Sequence, residues 1–197
     1  MPTRLYQFKI ELVGITPAIW RRIQVPEAYS FWDLHVAIQD AMGWLDCHLH
    51  MFRIHRKYIP TPIEVGIPNE YAVVDDPETH PGWEVPITDL FREVGDSSDY
   101  VYDFGDDWLH EIVLENIFPK EKGQKYPRCV DGAYACPPED CGGVHGYYHM
   151  LDVLADPDDE EHESMLEWLG GTYDPKKFAR GKVNFDNPTK RWKMSFS

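Results

Sequence analysis

The chain has 197 residues, with 34 acidic side chains against 19 lysines and arginines, a formal charge of −15 and a hydrophobic share of 43%. That length suits one domain with its own core. The charge argues against nucleic acid as a partner, because such binding draws its affinity from Lys and Arg neutralising phosphates. The adjoining pairs Arg21–Arg22 and Lys176–Lys177 read as solvated surface charges. No apolar run approaches the roughly 18 residues needed to cross a membrane. The first residues, MPTRLYQFKIELVG, alternate instead of forming a signal peptide. The expected compartment is the cytoplasm, where thiols stay reduced.

In chain order, Tyr6, Phe8, Ile10 and Leu12 alternate with Gln7, Lys9 and Glu11, which predicts a half-buried strand over 5–13. After the turn GITP, the stretch AIWRRIQVP alternates again and completes an antiparallel hairpin. Ser30 stands three residues before Asp33 in a capping-box pattern, and Phe31, Leu34, Ile38 and Ala41 recur at helical spacing. The spacing predicts a helix over 31–42, with Gly43 to end it and His35 at the edge of its apolar face. HLHMFRIH reads as a strand with His48, His50, Phe52 and Ile54 on one face. Residues 56–86 carry little periodicity and read as a long irregular surface excursion. A short helix at 87–94 precedes a second hairpin, strand 99–104 and strand 108–118, joined by Gly105, Asp106 and Asp107. YYHMLDVLA and DPDDEEHESMLEWLGG read as helices, the acids of the second placed where they suit the N-terminal dipole.

Three of the four cysteines and two of the nine histidines fall within CVDGAYACPPEDCGGVHGYYH, at the spacing C-x6-C-x4-C-x3-H-x3-H. Cys129, Cys136, Cys141, His145 and His149 thus offer enough donors for a tetrahedral zinc or another divalent metal. The knuckles are wider than the usual C-x(2–4)-C, however. Pro137-Pro138 and Gly142-Gly143 read as a rigid entry and a permissive exit of a built turn, with Glu139-Asp140 as its cap. A second constellation is dispersed. His48 and His50 form an HxH pair, and Asp103, Asp106 and Asp107 flank the hairpin turn before His110. If the strands join one sheet, His48, His50 and His110 are candidate ligands, and His50, Asp106, His110 and Glu139 candidate catalytic groups. The competing reading is a set of core histidines, each satisfied by a hydrogen bond. Phosphate-cradling, HExxH, GxSxG and CxxC motifs are absent.

At YDFGDDWLHEI and ACPPEDCGGVHGYYHML the chain resembles the Ri-plasmid open-reading-frame-three-like family (plasmid pRiA4b ORF-3-like), sometimes labelled TnpR-like or resolvase-like. YQFKIELVGITPAIWRRIQVP, DCHLHMFRI and YDPKKFARGKVN are similar to members' segments in the same order, so the resemblance spans about residues 4–186. It implies a compact α+β protein of bacteria or archaea and assigns no biochemical role. It also marks His48, His50, Asp103, Gly105, Asp106, Trp108, His110 and the segment Cys136–Asp140 with Gly143 as members of the family's motifs. The resolvase label does not fit: the early serine, Ser30, is explained as a helix cap, and the chain is acidic.

The resulting expectation is a single α+β domain over 1–197. A mixed or mostly antiparallel sheet fills 1–118 with one packed helix, and the Cys/Pro/Gly turn and a helical part that covers an edge fill 119–197. Two functions stay open. One is a binding or interaction module, associated with mobile elements, with a protein or small-molecule partner anchored by tryptophans such as Trp83, Trp108 and Trp168. The other is a metal-dependent, hydrolase-like enzyme using the His/Asp cluster.

Overall fold

The computed structural model describes residues 3–56, 59–68 and 78–195. Eight strands form one sheet: β1 (Arg4–Leu12), β2 (Trp20–Pro26), β3 (His50–Arg56), β4 (Ile59–Gly66), β5 (Thr79–Pro81), β6 (Ser97–Tyr102), β7 (Trp108–Pro119) and β8 (Arg128–Ala133). Their order is β5-β4-β3-β6-β7-β1-β2-β8. Only β4 and β5 run parallel; every other pair is antiparallel. The alternation in β1 has a direct consequence. Tyr6, Phe8, Ile10 and Leu12 are buried, while Gln7 joins a polar ladder on the outer face with Gln24, Arg22 and Glu115.

Helix α1 (Phe31–Met42) covers the inner face. Ser30 Oγ accepts from Asp33 N–H and Ser30 N–H donates to the Asp33 carboxylate, the reciprocal cap its spacing predicts. Gly43, at φ 97°, closes the C-terminus in the left-handed conformation a side chain would resist. Phe31, Leu34 and Ile38 are fully buried, each stabilising the fold by about 1.5–3 kcal/mol. Helices α2 (Ile87–Leu90), α3 (Gly143–Ala155), α4 (His162–Trp168) and α5 (Pro188–Ser195) follow. The chain between α4 and α5 runs along the β8 edge, where Arg180 donates to the Val130 carbonyl. It then returns to α1, where Arg191 bridges Asp40, Asp46 and Asp186. Among the described residues no helix is long and apolar enough to cross a membrane.

The fold is thus α+β, with a mixed and mostly antiparallel sheet, as expected. Several elements differ. The supposed excursion at 56–86 contributes β4 and β5, since Thr61, Ile63 and Val65 alternate despite the prolines beside them, and Pro60 and Pro62 precede Glu64–Gly66, the part of β4 that pairs with β5. Residues 57, 58 and 69–77 of that stretch lie outside the described residues. The helix expected over 87–94 stops at Leu90. Cys129 sits on β8, so the cysteine-rich stretch begins as a strand paired with β2. Trp108 is fully buried and offers no anchor, whereas Trp83 and Trp168 are partly exposed.

Candidate metal centre

Three segments far apart in sequence meet at one end of the sheet. The first is the connection from α1 to β3, residues 44–49. The second is the β6–β7 turn, 103–107. The third is the CPPED loop, 136–140. Asp103 directs the turn. Its N–H donates to Leu49 O at 3.0 Å, its carbonyl accepts from Asp107 N–H at 2.7 Å, and its Oδ1 accepts from Gly105 N–H at 2.9 Å. Oδ2 is left for the His48 side, 3.5 Å from its Nε2. Asp103, Asp107 and Asp140 all adopt positive φ, 56°, 52° and 56°, a conformation aspartate tolerates better than most residues and one that clusters at functional sites.

The CPPED loop is fastened to the first segment. Trp44 Nε1 donates to Pro137 O at 3.0 Å, and Glu139 Oε1 accepts from Leu45 N–H at 2.7 Å and from Tyr102 O–H at 3.1 Å. Tyr102 in turn accepts from Cys47 N–H. Burial raises the Glu139 carboxyl above its ordinary range, opposed by the Leu45 and Tyr102 bonds. The glycines beyond the loop let it approach the turn. Gly142 N–H donates to Asp106 Oδ2 at 3.1 Å, and a Cβ on Gly143, at φ 66°, would lie 2.4 Å from Asp106 O.

This frame brings His48, Asp103 and Asp140 together, with one donor atom from each within 4.8 Å of the others. His48 Nε2 is 3.0 Å from Asp140 Oδ1 and 3.5 Å from Asp103 Oδ2. It is buried from solvent yet is in hydrogen-bond geometry with neither. Donors bound at about 2.1 Å to one ion and separated by these distances would subtend angles of about 90–110° at it, ordinary for neighbouring ligands. One imidazole and two carboxylates suit zinc, manganese or magnesium, and three protein ligands leave positions open.

The other candidate residues go elsewhere. His50 faces the core, stacked on His35 with ring centroids 3.4 Å apart and planes 9° apart; burial, and secondarily His35, lowers its pKa well below the usual value. The HxH pair therefore does not chelate as a pair, because β3 begins only at His50 and His48 lies in the segment before it. His35 is not at a boundary but fully buried, bonded to Tyr100 Oη at 2.8 Å and Asp46 Oδ1 at 2.7 Å. His110 is buried with Nδ1 donating to the carbonyls of Trp108 and Tyr100, and burial lowers its pKa to about 4. It is a core histidine whose Nδ1 is satisfied, while its buried Nε2 has no hydrogen-bond partner among the described residues and joins no cluster of metal-ligating groups there. Asp106 holds Gly142. Among the described residues Cys129, Cys136 and Cys141 join no cluster of metal-ligating groups, and all four cysteines are free. Burial raises every one of these thiols, Cys141 to about 12. His145 is exposed, and exposed His149 pairs with Glu161 at 2.8 Å.

Of the three clustered residues, His48 is a candidate on sequence, Asp103 stands in the dispersed constellation, and Asp140 reads as a cap. The missed signal is the left-handed aspartate, which no spacing reveals. All three belong to the family-like segments, and that was the only clue linking them.

Two relatives match nearly the whole chain. Over 196 residues it is 35% identical to the uncharacterized protein y4hQ of Sinorhizobium fredii (strain NBRC 101917 / NGR234), covering 98% of this chain and 96% of that one. The crystal structure of the protein of unknown function MM3350 from Methanosarcina mazei Go1 superimposes with a TM-score of 0.83 and 40% identity. That match covers 94% of this chain and 100% of the other. Residues 4–182 match the plasmid pRiA4b ORF-3-like proteins, and the chain belongs to that family.

Proposed function

We propose that this protein works through a divalent cation held by His48 Nε2, Asp103 Oδ2 and Asp140 Oδ1, in metal-assisted hydrolysis. The observation that carries this reading is the His48 nitrogen, shielded from solvent and facing two carboxylates without bonding to either. A nitrogen-and-oxygen set of three with open positions is the pattern of catalytic sites; closed structural zinc sites favour thiolates. Bound there, a cation would polarise a carbonyl or phosphoryl oxygen and lower the pKa of a coordinated water towards 7. Asp140 also forms one wall of a cavity of about 260 Å³ that Met150 and Trp168 line, which suits a substrate with an apolar portion. Glu139 is assigned to positioning, because its Oε1 is spent on Leu45 and Tyr102.

A second reading keeps the cation and replaces hydrolysis by binding. Leu45, Leu49 and Phe104, on the segments that carry His48 and Asp103, are 75%, 53% and 51% exposed, an apolar rim suited to a partner bridged by the cation. Calorimetric titration of chelator-treated protein with Mn²⁺ and Zn²⁺, followed by assays on p-nitrophenyl esters and bis(p-nitrophenyl) phosphate, separates these. One equivalent of cation in the parent and none in His48→Ala, with cation-dependent turnover, is the expected result. Binding without turnover moves the reading to the module, and no binding removes both.

A further inference from the structure

On the far side of the CPPED loop lies a second cavity, of about 430 Å³, between the C-terminal end of α1 and the chain that follows Tyr173. Among the residues that line it is Arg21, only 2% exposed. Its Nε donates to Ala41 O at 2.9 Å, and Nη1 donates to Trp20 O and Ala133 O at 2.8 and 2.9 Å. The Phe178 ring covers the guanidinium, 3.9 Å from its carbon. These bonds use the Nε hydrogen and both hydrogens of Nη1 and leave only Nη2 without an acceptor among the described residues.

The charge itself is uncompensated. Among the described residues no carboxylate pairs with Arg21, which is unusual for so buried a guanidinium. The ionisable groups that face it from the surrounding elements are Cys129, Cys136 and Tyr173, and burial holds all three neutral. The carbonyls of Trp20, Ala133 and Ala41, the last in the final turn of α1 where the helix dipole is negative, offset part of it. The two carboxylates that line the same cavity are already engaged: Asp40 with Arg191 and the Asp186 N–H, Glu139 with Leu45 and Tyr102. Lys177 and Lys182 line its mouth and form no ion pair among the described residues. In a chain of charge −15, three cations thus converge on one cavity while its acids are occupied elsewhere.

We infer that this cavity binds a small organic oxyanion, its carboxylate or phosphate group on Arg21 Nη2 and its apolar body against Trp44 and Phe178. With Nε and Nη1 engaged, the two Nη2 hydrogens are the donors left for either group, and a charge-assisted bond there is stronger than a neutral one. The volume suits a metabolite-sized ligand. Nothing in this inference depends on the cation centre, which the CPPED loop separates from it.

The test is an NMR titration in the presence of chelator, so that no cation at His48 contributes. The probes are benzoate, phenyl phosphate and neutral benzamide, followed at the Arg21 Nε–H and Trp44 indole resonances. Benzoate or phenyl phosphate should saturate both resonances while benzamide leaves them unmoved. Their relative affinities identify the group as carboxylate or phosphate. The double variant Lys177→Ala/Lys182→Ala, which touches no packed residue, should weaken binding about fivefold. Arg21→Lys, which keeps the charge but loses the Nη2 donors, should weaken it further. Equal shifts from benzamide, or no saturable shift from either anion, would overturn the inference. So would an affinity indifferent to both sets of substitutions.

Discussion

His48 Nε2 lies 3.0 Å from Asp140 Oδ1 although the two residues belong to separate loops, and Glu139 is the link. Its carboxylate takes the Leu45 N–H and the Tyr102 hydroxyl, so the residue preceding Asp140 is pinned to the segment that carries His48. The loop is therefore preorganised before any cation arrives, which lowers the cost of binding one.

Asp140 is exposed, and its side chain makes no bond that the fold requires. Asp140→Asn should reduce cation affinity at least about tenfold while leaving the thermal midpoint unchanged. Asp140→Gly, which suits the positive φ, should keep stability within about 1 kcal/mol of the parent and lose the cation equally. Calorimetry and thermal melts on both variants check this. Lost stability in Asp140→Asn would make the residue structural.

Gly143 marks the closest approach of the CPPED loop to the 103–107 turn. A methyl group there would meet the Asp106 carbonyl at 2.4 Å in a backbone already at φ 66°. Gly143→Ala should cost about 2 kcal/mol or more and weaken cation binding, because Asp140 would be displaced from Asp103. Urea titration beside calorimetry reads both effects. A stable variant with intact affinity would sever the glycine from the site.

The fold should also weaken in acid. His110 has a folded pKa of about 4, below its ordinary 6.5, because burial disfavours its charged form. Between those values the unfolded chain binds a proton that the folded chain refuses. Stability is therefore full above about pH 6.5 and falls as pH drops towards 4, by at most roughly 3 kcal/mol from this residue. His110→Gln keeps a donor for the Trp108 and Tyr100 carbonyls and should reduce the loss between pH 7 and 5, with His50 supplying the remainder. Urea midpoints at the two pH values decide it; an unchanged slope would show that His110 titrates alike in the folded and unfolded chain.

Arg191 anchors α5 to α1 through Asp40 at 2.6 Å and Asp186 at 2.7 Å. Its side chain is only 14% exposed, so these charge-assisted bonds are worth more than a surface pair. Arg191→Ala should cost about 2 kcal/mol and raise amide exchange in residues 186–195 without changing exchange in β1. Uniform exchange across both would mean that α5 is not separately anchored.

The legible parts of this molecule were those with local periodicity. β1, β7 and α1 each bury the residues their alternation or helical spacing selects, and Ser30, Asp33 and Gly43 mark both ends of α1. β4 was hidden because Pro60 and Pro62 masked its alternation. The site was legible only in part for a physical reason. Left-handed aspartates and a glutamate clamp arise from tertiary contacts, and cysteine density drew attention to a loop whose contribution is a carboxylate. Conversely, His50 and His110 have the periodicity of core residues, and they are core residues.

The most direct measurement is anomalous diffraction from crystals grown with Mn²⁺, collected above and below the manganese edge. A single peak about 2.1 Å from His48 Nε2 and from one oxygen each of Asp103 and Asp140 is the expected result. A peak among the cysteines or at surface acids alone, with none beside His48, would contradict the cation centre and the function built on it.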